Sequence, residues 1–320
     1  MHDVLALVRK HSFVLALALS LALFVGNVIA EPSFVSWDNV PDQLATFAPL
    51  AIAALASMPS ILSGGGGIDI SIGPAMSVVN VVLVFWLFPH DVAAPLAIAI
   101  VLAISTAIGL VNGFFVGVLR YPPVVATLCM FFVLQGVALK IAPTAGQAPG
   151  NWTEQLGQSV GPVPGGLILV AAVVLIWLAL AATPYVRALY SVGGSDAAAF
   201  ASGVPVTVVR ALAYGIGGLF AGIGGIALTA LVQSADTALA TEYTLLALAA
   251  VSLGGTPIGG GRGGLIGTLL GAAVIYLLQT FLSAVHVSPN YTSVVYGALL
   301  VGALVFGALV TSKRRFGGAT

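Results

Sequence analysis

Apolar segments of about 18 residues or more recur along this chain from one end to the other, each long enough to cross hydrocarbon as a helix. Nothing else in the sequence limits the fold so severely. Charged residues make up 6% of the 320 positions and hydrophobic residues 59%, whereas an ordinary soluble domain is about a quarter charged. So few charges cannot cover a soluble surface. The expected class is therefore an all-α polytopic membrane protein.

Reading the apolar runs between glycine, proline and charge breaks places spans near 12–30, 43–62, 69–88, 94–118, 123–142, 164–183, 207–231, 244–258, 265–285 and 291–311. The first run follows Arg9 and Lys10 and ends in Val28-Ile29-Ala30, which resembles a signal peptide. Its length and the spans behind it favour an ordinary first helix. About ten transmembrane helices put both termini on one side, and the distribution of basic residues tests that count. With cytoplasmic termini, Arg9, Lys10, Arg120, Arg187, Arg210, Arg262, Lys313, Arg314 and Arg315 fall inside, and Lys140 alone falls near the outer face. Among the acids, Glu31, Asp38, Asp42, Asp91, Glu154, Asp236 and Glu242 fall outside, and Asp3, Asp69 and Asp196 inside. A missed span would invert everything beyond it.

The connections are short, so residues 1–320 read as a single transmembrane domain. The longest cytoplasmic connection is 184–206. The longest outer one, about 143–163, reads PTAGQAPGNWTEQLGQSVGPV, the composition of an exposed loop. Asn151-Trp152-Thr153 there, and Asn290-Tyr291-Thr292 further on, match a glycosylation sequon that arises often by chance. Cys129 is the only cysteine, which excludes a disulfide within the chain. Between helices lipid supplies no hydrophobic drive, and GIGGLFAGIGG at 215–225, GGLIGTLLG at 263–271, and Gly113 with Gly117 offer the small residues on which close packing depends.

Residues 63–73, SGGGGIDISIG, interrupt this pattern. Each glycine costs about 1 kcal/mol in a helix relative to alanine, so the preceding helix is expected to stop near Leu62. Asp69 then suits the N-cap of the next helix, accepting orphan N–H groups at the positive end of the dipole. Run 74–88 is too short to span alone, so the capped turn is expected partly within the membrane, a broken helix tolerated only where protein or water surrounds it. Asp69 is thus either a structural cap or a contact for substrate or a moving part. SLGGTPIGGGRGG at 252–264 is a second interruption, read as a re-entrant or cytoplasmic turn.

SGGGGIDISIG resembles the SGGIDLSVG signature of bacterial ABC importer permeases of the ribose/xylose/autoinducer-2 (monosaccharide) class. GLVNGFFVGVLRYPPVVATLCMFFVLQGVAL (109–139), YSVGGSDAAAFASGVPV (190–206) and TEYTLLALAAVSLGGTPIGGGRGGLIGTLLGA (241–272) are similar to further blocks of that family, in the same order. The resemblance implies a multi-pass permease of the bacterial inner membrane that works as a pair, with a second copy or a homologous permease. It implies a cytoplasmic ABC ATPase that binds ATP and magnesium, and a periplasmic solute-binding protein that delivers a sugar or sugar-like solute. No cofactor is expected on this chain: it has no G-x-x-x-x-G-K-[ST], and none of Lys10, Lys140 and Lys313 follows a glycine. No nucleic-acid partner is expected; lipid is.

Within 184–206 the resemblance marks Gly193, Gly194, Ser195, Asp196, Ala198, Phe200 and Gly203 for coupling to the ATPase. Ser195 can cap a short helix with Asp196 in its first turn, stopped at Gly203 before Pro205. Phe200 would be its apolar anchor in a partner groove. The family often carries Asn-Glu where this chain has Ser195-Asp196, which shifts the expected docking toward shape and Phe200. A plain structured loop is the alternative. For the solute path the polar, uncharged candidates are Ser71, Asn80, Thr106, Asn112, Gln135, Thr229, Gln233 and Gln279, with Asp69, and with Glu242 and Tyr243 at the outer mouth. Each is equally a candidate for an interhelical hydrogen bond, worth about 0.6–2 kcal/mol.

A branched-chain amino-acid ABC permease has similar glycine-rich segments, but a zwitterion calls for charged partners that are scarce here. An ion-coupled secondary transporter would use intramembrane acids, of which Asp69 alone qualifies. A scaffold would have no use for broken helices. Catalysis is not expected, and no metal site: His2, His11, His90 and His286 are scattered near helix ends.

Overall fold

The computed structural model describes residues 13–287 except 149, 236, 238 and 239, together with 294, 297 and 298. Helix α1 spans Val14–Ala30, and two short 3-10 turns lead from it into α2, Val40–Leu62. Helix α3 (Ile72–Val82) continues through a π turn at Leu83–Leu87, and α4 (Ala94–Gly113) through another at Phe114–Val118. Helix α5 is Pro123–Ile141, the short α6 Thr153–Gly157, and α7 Gly165–Ala181. Then come α8 (Pro184–Gly194), α9 (Asp196–Ala201), α10 (Val206–Val232), α11 (Thr241–Leu253) and α12 (Leu265–Ala284). Prolines open α2, α4, α5 and α8 in their first turns, where a missing N–H is no loss.

The protein is a multi-pass helical membrane protein. Five helical stretches are long and apolar enough to cross a bilayer: Trp37–Leu62, Ala94–Val118, Pro123–Ile141, Val206–Val232 and Leu265–Ala284. Helices α7 and α8 would add one as a pair, but α8 turns away from α7 by 84°. Val14–Ala30, Ile72–Leu87 and Thr241–Leu253 are shorter apolar helices. Each expected span up to 265–285 falls on one of these elements. The expected span 291–311, the basic residues Arg9, Lys10, Lys313, Arg314 and Arg315, and the sequon at Asn290 lie outside the described residues, apart from Val294, Gly297 and Ala298.

Helices α2 and α10 form the centre. From Ala48 to Leu62 every residue of α2 is buried, as is nearly every residue of α10 from Ala213 to Ala230. Around them, α4 packs along α10, α3 on α10, α7 on α2, and α1 on α12, while α11 lies between α12 and α2. The α4–α10 seam is a small-residue seam of the kind membranes require. A Cβ at Gly113 would fall 2.3 Å from the Ala211 carbonyl, and one at Gly117 2.8 Å from that of Thr207. Asn27 of α1 donates to Leu277 O of α12 at 2.8 Å, so the first helix is an integral part of the bundle.

The structure revises four expectations. Residues 184–206 hold, besides the expected short helix α9, a second helix that was not expected, α8, which turns 84° away from α7. Residues 143–163 are no free loop either. Gly146–Gln147 pairs antiparallel with Ser234–Ala235, Ser159–Val160 with Val163–Pro164, and α6 sits between with Thr153 fully buried. The Asn151 sequon is consequently packed away, its side chain bonded to Gln233 Oε1 at 2.9 Å. The span expected at 244–258 begins at Thr241 and ends at Leu253. Finally, α3 begins at Ile72, so Asp69 does not occupy its N-cap; Ser71 does, without a side-chain cap.

Candidate functional site

The glycine run is a left-handed turn. Gly64, Gly65 and Gly66 have φ of +72°, +64° and +71°, a conformation that only glycine repeats at low cost. It turns the chain back into the bundle as irregular backbone, which lipid would not tolerate unless side chains satisfied it. They do so from three helices. Asp69, fully buried, accepts from Ser71 N at 2.9 Å and from Ser71 Oγ at 2.7 Å, an Asx turn in place of the expected cap. Ser71 Oγ accepts from Asn112 Nδ2 of α4 at 2.7 Å. Thr127 of α5 accepts from Ile70 N at 3.2 Å and lies 3.3 Å from Ile68 O. Thr244 of α11 accepts from Gly73 N at 3.0 Å. Of the path candidates, then, Asp69, Ser71 and Asn112 form one buried network.

A second broken segment lies alongside. Helix α10 ends at Val232 with Gln233 as its cap, in the left-handed conformation with φ +47°, and Ser234, Thr237 and Ala240 beyond it lie next to α3. Their carbonyls meet α3 in steps: Ser234 O accepts from Asn80 Nδ2 at 3.0 Å, Thr237 O from Ser77 Oγ at 3.3 Å, and Ala240 O lies against Gly73. Helix α11 therefore starts within the bundle, beside the start of α3. Asn80 also donates to Thr229 Oγ1 at 2.9 Å, joining α3 to α10. Gln135 reaches Thr241 Oγ1 at 3.5 Å, while Glu242 is exposed and Tyr243 half-buried in the first turn of α11. Gln233 belongs to a separate polar knot, donating to Thr153 Oγ1 at 3.3 Å and Ala230 O at 3.0 Å. Buried oxygens of Asn80, Asn112 and Tyr214 have no partner among the described residues.

At the end of the bundle opposite Gln233, three glycine segments meet backbone to backbone. A Cβ on Gly193 would lie 1.9 Å from Leu62 O, one on Gly64 2.8 Å from Gly193 Cα, and one on Gly260 2.5 Å from Gly64 Cα. Leu62 O accepts from Gly261 N at 3.2 Å, and Tyr190 OH donates to Gly263 O at 2.8 Å. Gly194 has open space around its Cα and ends α8. Ser195 caps α9 as expected, accepting from Ala198 N at 3.3 Å, and Gly203 ends its turn with φ +79°. Phe200 projects outward, 75% exposed. Asp196 faces inward along the chain: both its oxygens accept from Arg210 Nη2, at 2.7 and 2.9 Å. Half-exposed pairs of this kind contribute about 0.2–1 kcal/mol, so its interest is positional.

Arg210, Tyr214, Thr127 and Thr244 were not singled out from the sequence. Thr127 and Thr244 lie in apolar runs with no neighbouring motif to distinguish them, and Arg210 served only as a marker of sidedness. Its spacing of four from Tyr214, one turn along the same helix, was the available clue.

No solved structure matches the chain. Among curated proteins it is 33% identical over 284 residues to the ribose import permease protein RbsC of Bacillus subtilis (strain 168), covering 86% of this chain and 87% of that one. It is 32% identical over 277 residues to RbsC of Escherichia coli (strain K12), covering 83% and 84%. It is 30% identical over 297 residues to the autoinducer 2 import system permease protein LsrD of Escherichia coli O9:H4 (strain HS), covering 89% and 88%. Residues 40–304 match the family model described as the permease component of the branched-chain amino acid transport system. Helical, multi-pass and matched over most of its length, the chain belongs to that family of permease components.

Proposed function

We propose that this protein is the membrane-spanning subunit of an ATP-driven, binding-protein-dependent importer that moves a sugar or sugar-like solute across the bacterial inner membrane. Ten spans with cytoplasmic termini place α9 inside, against a cytoplasmic ATPase. The described arginines support that orientation: Arg187 and Arg210 lie on α8 and α10 beside α9, Arg262 in the segment touching Gly193, and Arg120 after the stretch packed on Thr207. Lys140 sits at the far end of α5. The observation that carries the reading is α9, a capped six-residue helix that holds Phe200 outside the packed bundle. A partner groove is the natural place for a large exposed ring on a rigid support.

ATP is bound and hydrolysed on the partner, and the permease supplies a gated passage. Asp69, Ser71, Asn80 and Asn112 give that passage polar atoms without a free positive charge, which suits a neutral polyhydroxyl solute. The ribose permeases among the relatives support a monosaccharide, while the family description favours branched-chain amino acids as the second reading. Affinity purification of the tagged permease from its native membrane tests the class: an ATPase with two nucleotide-binding modules should copurify. Reconstituted with its binding protein, the complex should take up labelled ribose only with ATP. Uphill uptake by the permease alone overturns the proposal, and uptake of leucine in place of ribose selects the second reading.

A further inference from the structure

Arg210 is the point at which the exposed and buried halves of this arrangement touch. Its Nη2 donates to Asp196 on α9 at 2.7 and 2.9 Å and also lies 3.2 Å from Ser63 O, the carbonyl that begins the glycine run. The guanidinium lies close to Gly65, where a Cβ would fall 3.1 Å from Nη2. One turn further along α10 stands Tyr214, fully buried, its hydroxyl without a partner among the described residues. Among the described residues Arg210–Asp196 is the sole ion pair, and one nitrogen serves both of its bonds.

We propose that Arg210 is a positioning residue for energy coupling: it ties α9 to the left-handed turn at 64–66, so that displacement of α9 moves the start of the broken span that carries Asp69. The inference rests on the reading of α9 as the ATPase-docking element. Nη2 of Arg210 reaches the Asp196 carboxylate and the Ser63 carbonyl at once, so the two segments meet at one side-chain atom. The half-exposed carboxylate of Asp196 is the handle, and the Ser63 carbonyl the load.

The test uses the permease purified with its ATPase in a Cys129→Ser background, with Ile68→Cys as the single thiol, half-buried just past the glycine run. The maleimide labelling rate is measured with and without a non-hydrolysable ATP analogue. The expected result is a severalfold nucleotide-dependent change in rate, lost in Arg210→Ala and in Asp196→Ala and retained in Asp196→Glu. Asp196→Ala removes only a half-exposed carboxylate, so it decides the matter even if Arg210→Ala fails to accumulate. An unchanged nucleotide response in Asp196→Ala overturns the proposal. Phe200→Asp separates the two levels. If that variant still copurifies with the ATPase and responds, the docking role of α9 is what fails; if it loses the ATPase while Asp196→Ala responds normally, only the role of Arg210 fails.

Discussion

Gly109 of α4 and Gly218 of α10 touch across the helix seam: a Cβ on either would lie 3.0 Å from the Cα of the other. On Gly109 it would also lie 2.3 Å from Tyr214 O. With backbone as the obstacle, neither helix can yield by a rotamer change. Gly109→Leu is therefore expected to abolish the monodisperse, folded protein on size-exclusion chromatography. Gly136→Leu on α5, where nothing lies within 4 Å, is expected to behave as the unmodified chain.

The Asx turn at Asp69 depends on an acceptor oxygen more than on charge. Asp69→Asn keeps Oδ1 for the N–H and hydroxyl of Ser71, while Asp69→Leu strands both in a buried setting. The leucine variant is expected to lose about 1–3 kcal/mol, the cost of unsatisfied buried polar groups, and the asparagine variant much less, as read by thermal unfolding in detergent. Uptake by Asp69→Asn should also persist in the presence of a proton ionophore.

Asn80 and Thr229 join α3 to α10 through one hydrogen bond at 2.9 Å. A double-mutant cycle with Asn80→Leu and Thr229→Val should give a coupling energy of about 0.6 kcal/mol and no more than about 2, the range found for interhelical bonds in membranes. A coupling near zero would reassign Asn80 to its other acceptor, Ser234 O.

Phe200→Asp should leave thermal stability unchanged, since the ring is 75% exposed, yet greatly reduce ATPase recovered in a pull-down. Gly203→Pro should lose the same partner by another route. Proline fixes φ near −65°, and Gly203 has φ +79°.

The broken helix after Leu62, the cap at Ser195, the stop at Gly203 and the exposed Phe200 were legible in the sequence because each depends on local chemistry: glycine, a hydroxyl and an aromatic at fixed short separations. The helix start was misplaced by two residues, with Ser71 rather than Asp69 at the N-cap, because Asp69 closes an Asx turn on Ser71 N ahead of the helix, and sequence alone offers both choices. The placing of Ser234 and Thr237 against α3 was not legible at all. Their carbonyls are met by Asn80 and Ser77 from more than 150 positions away. Likewise α8 read as loop because its apolar side chains Val186, Leu189 and Val192 are buried by packing across the bundle end, a tertiary fact.

Where Leu62, Gly64, Gly193 and Gly261 converge, the joint is made of main chain alone. A joint between side chains has slack, since rotamers absorb small displacements before passing them on. This one has none to absorb, so a nudge at the end of α8 is delivered undamped to the end of α2 and to the segment ahead of α12. The stiffness that makes the three glycine positions intolerant of any larger residue is the same property that would let them act as a lever's fulcrum.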